Sequence, residues 1–116
     1  MLDSSDALLE LKEVRFSGKK MSAPDRKDLA DEFVAFANGR GGICLLGVND
    51  HKEIVGIPLD RLDQVESLVL EVCRDSAQPP LQPIISRMYL PNSRDEKVPV
   101  LKVEIPKPPI NLMPLI

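Results

Sequence analysis

The sequence of 116 residues has no tryptophan, one tyrosine and three phenylalanines. With aromatics at 3%, any core has to be aliphatic, and stacking of bases on aromatic rings is a poor route to nucleic-acid affinity. The only histidine, His51, has no second His or Cys near it in sequence, which excludes a zinc site of ordinary spacing. The two cysteines, Cys44 and Cys73, sit in apolar runs and lack C-x-x-C spacing. They read as buried free thiols in a reducing compartment, so a cytoplasmic location is expected. No apolar run reaches the ~18 residues of a membrane span. The first ten residues, MLDSSDALLE, are acidic and lack the basic start of a signal peptide. Neither sign of charge dominates. At a formal net charge of -3, bulk attraction to a polyanion is excluded, and local clustering has to supply any such attraction. There is no internal repeat, and no Walker A loop to hold a nucleotide phosphate.

What is present is enough for one domain: the chain has the usual domain length and 43% apolar residues. The stretch from Ser22 to Ile57 organises it. Ser22 reads as an N-cap with Pro24 in the first helical turn. Leu29, Phe33, Phe36 and Ala37 then repeat at helical spacing. Asn38 and Gly39 supply left-handed residues to end the helix. Gly41 and Gly42 turn into Ile43–Val48, a continuously apolar run that predicts a strand buried on both faces. Ile54–Ile57 predicts the next strand. Before this stretch, Leu8–Phe16 alternates as a half-wet strand with a bulge near Glu13, and residues 17–21 form a loop with two lysines. After it, Asp60 caps a second helix over Arg61–Asp75, with Leu62, Val65, Leu68, Val69 and Val72 facing the core. Pro83–Leu90 and Val98–Ile105 pair as antiparallel strands across a turn at residues 91–97. Pro99 suggests that the last strand is an edge, with Val98, Val100 and either Leu101 or Val103 inward. Residues 106–116, PKPPINLMPLI, are an apolar tail with four prolines, set off from a domain over residues 1–105. The expected fold is α+β: a mixed sheet of about five strands with two helices, in the order β-α-β-β-α-β-β.

Three pieces of this chain together resemble the Schlafen AlbA_2 domain, the DNA-binding module attributed to bacterial Schlafen-like and divergent AAA-4 proteins. Glu10-Leu11-Lys12 is similar to the family's E-[FL]-K. Ala35 to Gly42 (AFANGRGG) is similar to A-F-A-N-x-x-G-G. Leu46 to Asp50 (LGVND), followed by Ile54 to Ile57 (IVGI), is similar to I-G-V-x-D…I-V-G. Order and spacing agree over residues 8–105. The chain departs from the pattern in two places: Ser5 stands five positions before Glu10, where members commonly carry an acid, and the tail lacks the Y-Y-x-R-x-G segment. The resemblance implies an Alba-like fold, a nucleic-acid partner with DNA favoured over RNA, and a role in a transcriptional regulator or helicase-related protein.

Seven basic residues lie around these motifs: Lys12, Arg15, Lys19, Lys20, Arg26, Lys27 and Arg40. Phosphate neutralisation needs a patch of this kind, and Lys12, Arg15, Lys19, Lys20 and Arg40 are the residues expected to bind. The bland reading is a solvated face balanced by Asp25, Asp28, Asp31 and Glu32. Glu10 and Asp50 each match a position that holds a divalent metal in some Schlafen nucleases, and Asp6 is a possible third carboxylate of the cluster. Mg²⁺ or Mn²⁺ would be required only under that reading, because hard cations need several oxygen ligands to stay bound. With the third acid absent from its place, little metal affinity and no cleavage are expected. The glycines at 39–42 read as a structural corner, since a helix C-terminus carries the wrong dipole for an anion. Three functions compete: a nucleic-acid-binding module without a cofactor, a metal-dependent nuclease, and a dimerisation domain. A homodimer is expected in which the tail and an exposed edge at Val98–Ile105 find cover. No membrane partner is expected.

Overall fold

The computed structural model describes residues 8–107. Asp6 and residues 108–116 of the tail lie outside the described residues. The elements are β1 (Leu8–Lys12), β2 (Arg15–Ser17), β3 (Lys20–Ala23), α1 (Arg26–Asn38), β4 (Gly42–Leu46), α2 (Leu62–Asp75), β5 (Ile84–Pro91) and β6 (Lys97–Ile105). One four-stranded sheet has the order β1-β4-β6-β5, and β2-β3 forms a separate hairpin. β1 runs parallel to β4, and the other pairs are antiparallel. This is the expected α+β class, with its mixed sheet and two helices. The order is β-β-β-α-β-α-β-β because two segments differ from the reading above. Leu8–Phe16 is two strands, and the lysine loop folds back as β3. Ile54–Ile57 contributes only an isolated bridge between Val48 and Ile54.

Register shows which side chains share a face, since residues paired across strands point the same way. Cys44 pairs with Glu10 and Val103, and Leu46 with Lys12 and Leu101. That face meets the helices. Leu29, Phe33 and Phe36 of α1 and Leu62, Val65, Val69, Val72 and Cys73 of α2 close over Cys44, Leu46, Leu101, Val103 and Ile105. The helical spacing read from sequence is therefore the core face of both helices. Burying each large aliphatic side chain contributes roughly 1.5–3 kcal/mol. The strands diverge from expectation. β4 alternates between buried and half-buried residues, because both helices lie on one side and its other face has no helix over it. Val98 and Val100 point to that other side, while Leu101 and Val103 both face the helices.

β6 is not an edge: β4 and β5 flank it. Pro99 is tolerated there for a local reason. Its carbonyl accepts the Ile57 N–H at 2.9 Å, and in a strand the N–H and C=O of one residue point to the same side. The N–H that proline lacks would therefore face Ile57, beyond the end of β4, so the ladder to β5 loses nothing.

The caps also differ. α1 begins after Asp25, not Ser22, which lies in β3. Asp60 falls within a 3₁₀ turn over Leu59–Arg61 that leads into α2. At the C-terminus of α1, Gly39 has φ -100° and is not left-handed. The left-handed residue is Gly41, at φ +85°, two positions later.

One corner is used twice. In residues 49–53 (NDHKE) and 92–96 (NSRDE), the asparagine Oδ1 accepts two backbone N–H groups: those of His51 and Glu53, and those of Arg94 and Glu96, all at 2.9 Å. The asparagine N–H donates to the glutamate carbonyl in both turns. The fourth residue is left-handed in both, Lys52 at φ 65° and Asp95 at φ 62°. This is the asparagine side chain replacing a backbone turn, followed by one left-handed residue that restores the pairing.

Candidate nucleic-acid interface

The hairpin β2–β3 carries three of the nominated cations. Its strands pair Arg15 with Ala23, Phe16 with Met21 and Ser17 with Lys20, with an irregularity between Arg15 and Phe16. Phe16 and Met21 pack against the core. Gly18, at φ +65°, turns the tip, and Lys19 and Lys20 stand exposed on it. Two residues at the start of α2 hold the tip from below. The Arg61 Nη2 donates to the Gly18 carbonyl at 2.8 Å, and the Gln64 Nε2 donates to the Lys19 carbonyl at 3.2 Å. The Arg61 guanidinium also stacks on the Phe16 ring, 4.5 Å from its centroid. A backbone held at both tip carbonyls leaves the lysine side chains as the mobile part. Neither lysine has an ion-pair partner among the described residues.

Beside the hairpin lies a groove of about 420 Å³ between β3, the start of α1 and α2. Lys20, Ser22, Arg26, Gln64, Ser67 and Glu71 line it. Arg26 is not available to a ligand as a simple cation there, because it is bonded to Glu71 at 3.0 Å and Asp75 at 3.2 Å.

The remaining nominated residues separate. Arg15 is bonded to Glu13 at 3.2 Å, with its side chain 67% exposed. Lys27 is paired with Asp31 at 2.9 Å. Lys12 faces the helices and lies 3.8 Å from Glu32, with its side chain only 21% exposed. Arg40 follows the far end of α1. That helix has 13 residues, a length of about 20 Å, so Arg40 is held well away from the hairpin. The structure brings together Lys19, Lys20 and Arg15, and leaves Lys12 and Arg40 elsewhere.

Glu10 and Asp50 are also separated by role. Glu10 lies on the helix side of β1, where it faces Glu32 of α1 and raises its pKa. Asp50 is exposed in the turn after β4. Among the described residues there is no group of three or more His, Cys, Asp or Glu placed to hold a metal ion. His51 is exposed in the same turn. Cys44 and Cys73 are free and buried. Burial pushes the Cys44 thiol up to about 12 and the Cys73 thiol up to about 11, so both stay protonated and unreactive near neutral pH.

Glu32 was not apparent as a partner of Glu10, because the two are brought together only when α1 packs across β1. Burial, followed by the charge of Glu10, raises its pKa above the ordinary 4.5, while Lys12 acts the other way. A carboxylate whose folded pKa is raised binds its proton more tightly when folded. Its contribution therefore favours the fold at low pH and declines as pH rises from 4.5 through the raised value. Comparing Tm of Glu32→Gln with the native chain should show the difference moving in the variant's favour between pH 4 and pH 7. A constant difference over that range would rule out the perturbation.

A one-sided mixed sheet, two helices on one face and a lysine-tipped hairpin clamped to the second helix define a small α+β domain. The family model for Schlafen, AlbA_2 matches residues 6–112, and the chain belongs to that family, which is usually associated with nucleic-acid binding. No curated protein matches it. No helix among the described residues is long and apolar enough to cross a membrane.

Proposed function

We propose that this chain is a nucleic-acid-binding module that grips backbone phosphates with the tip of hairpin β2–β3, and that it serves a DNA-binding regulator or helicase-related protein in the cytoplasm. The observation that carries this reading is the pair of lysines, Lys19 and Lys20, without ion-pair partners among the described residues, on a tip whose backbone Arg61 and Gln64 hold in place. A clamped tip presents charge with less entropy to lose on binding than a free loop would. Arg15 adds to it from the base of β2. Phosphate contact of this kind reads shape and charge, not base identity. It needs no metal, so a chelator leaves affinity unchanged.

The test is binding of duplex DNA and of single-stranded RNA across a salt series. Each neutralised phosphate on a duplex contributes about -0.9 to the slope of log affinity against log salt. Replacing Arg15, Lys19 and Lys20 together by alanine should therefore flatten the duplex slope by about 2–3 and weaken binding at low salt by more than tenfold. The preference expected is DNA over RNA. An unchanged slope and affinity in the triple variant would place the contact elsewhere on the molecule.

A further inference from the structure

The side of the sheet that carries no helix is itself apolar. Its strands present Leu9 and Leu11 from β1, Ile43 and Leu45 from β4, and Met88 and Leu90 from β5, by the register that sets Cys44, Leu46 and Val103 toward the helices. At the Val98–Val100 end of β6 the face is already covered, since Val100 is 0% exposed and Gly56 lies against Val98. Leu9 and Ile84, at opposite rims of this face, are 61% and 53% exposed. Two charged side chains interrupt it, Lys102 and Glu104, side by side on β6. Both are half-buried, and neither has an ion-pair partner among the described residues. An unpaired, partly desolvated charge is a cost that a partner of opposite sign removes.

The pattern narrows the occupant. Without aromatic rings the face cannot stack bases, and with a single lysine it cannot track a phosphate backbone. One positive and one negative charge two residues apart on one strand are, however, complementary to themselves. A two-fold axis lying in the plane of the interface and crossing β6 at Val103 sets Lys102 of each copy against Glu104 of the other, with the aliphatic rows closing around them. Symmetric pairing of one patch with itself is the commonest way soluble chains associate. Four strands at ~4.8 Å spacing and about 20 Å of strand length give a footprint of at most about 400 Å² per copy, because the Val100 end of β6 is already covered. That is below the roughly 800 Å² per partner of a standard stable interface, and it fits a dissociable dimer.

We propose that two copies of this chain pack face to face through the helix-free side of the sheet, with Lys102 and Glu104 paired reciprocally across the two-fold axis. This places the contact on a face of β6. The strand edge expected from sequence is closed by β4 and β5. The face includes none of Arg15, Lys19 and Lys20, so the proposal does not depend on the nucleic-acid reading. The experiment is sedimentation of the full chain over a hundredfold concentration range, with Tm followed to confirm that each variant folds. The native chain should show a concentration-dependent monomer–dimer equilibrium. Lys102→Glu and Glu104→Lys should each weaken it at least tenfold, because like charges then meet at the axis. The double exchange, Lys102→Glu with Glu104→Lys, should restore the native Kd. A native chain that stays monomeric throughout assigns the face to another occupant, such as its own tail or a different protein, and overturns the proposal. Single variants that dimerise like the native chain, or a double exchange that fails to restore pairing, overturn it too.

Discussion

Gly41→Ala should lower stability by about 2–4 kcal/mol, the largest loss expected from adding one methyl group to this chain. Gly41 has φ +85°, and a Cβ there would lie 2.8 Å from the Ile105 carbonyl oxygen and 3.0 Å from the Lys107 nitrogen. Both obstacles are backbone at the end of the central strand β6, so neither can turn aside as a side chain would. The Gly41 N–H also donates to the Phe36 carbonyl at 2.9 Å, which ties the end of α1 to the start of β4. Moving residue 41 to relieve the clash therefore breaks that tie or displaces β6. For a chain of this size, 1 kcal/mol shifts Tm by about 4–8 °C, so a fall of more than 10 °C is expected in a thermal melt. A fall of only a degree or two would mean that the corner accommodates a side chain and that the left-handed turn is not a requirement of the fold.

Its neighbour should fail for a different and correctable reason. A Cβ on Gly42 would sit 2.4 to 2.6 Å from the ring of Phe36, a side chain that is 1% exposed. Forcing a methyl group into a packed interior typically costs 1–3 kcal/mol. Phe36→Ala alone should cost about 3–5 kcal/mol through the cavity it leaves. Because the clash is with the ring itself, the two changes should not add. In the Phe36→Ala background, Gly42→Ala is expected to cost less than about 0.5 kcal/mol, or to recover some stability by filling space. A coupling of at least 1 kcal/mol in the double-mutant cycle is the expected result, and additivity would show that the ring moves out of the way. The same cycle run with Gly41 should show no rescue, which separates a backbone obstacle from a side-chain one.

These two glycines also mark how far the sequence could be read. Gly41 and Gly42 were legible as a tight corner, but the left-handed position was assigned to Asn38 and Gly39 because those follow the last apolar residue of the helix. The chain instead keeps a tie from Gly41 back to Phe36 and turns later. Both helices were legible from apolar spacing, and β5 and β6 from their length and the turn between them. The lysine loop did not announce itself as a hairpin. Phe16 and Met21 are its only core-facing residues, and the contacts that stabilise it come from Arg61 and Gln64, more than forty positions away. Pro99 pointed to an edge because a missing donor usually does, and the local side on which that donor was missing cannot be read from composition. At the candidate interface, Lys19, Lys20 and Arg15 are nominated by their charge around the family motifs, and the structure sets them on one hairpin. Lys12 and Arg40 were nominated on the same basis and are set apart by which face of β1 meets the helices and by the length of α1. Glu32 and the clamp under the hairpin needed tertiary packing to become visible.

The corner used twice, at residues 49–53 and 92–96, has a consequence for the order in which the chain can assemble. Each turn is closed by its own asparagine, so it can form before anything else packs. At residues 92–96 that turn joins β5 directly to β6, the longest paired strands in the sheet, and their ladder can zip from a closed end with little loop entropy to overcome. β4 can then add to the free side of β6. β1 has to wait: its parallel partner is β4, and the hairpin and the whole of α1 must be in place to carry the chain between them. The last strand to join by this logic is also the first to leave when the native state opens locally. The strand that brings Glu10 and Lys12 to the helices is thus expected to exchange its amide protons soonest in the sheet, and the β5–β6 arm last.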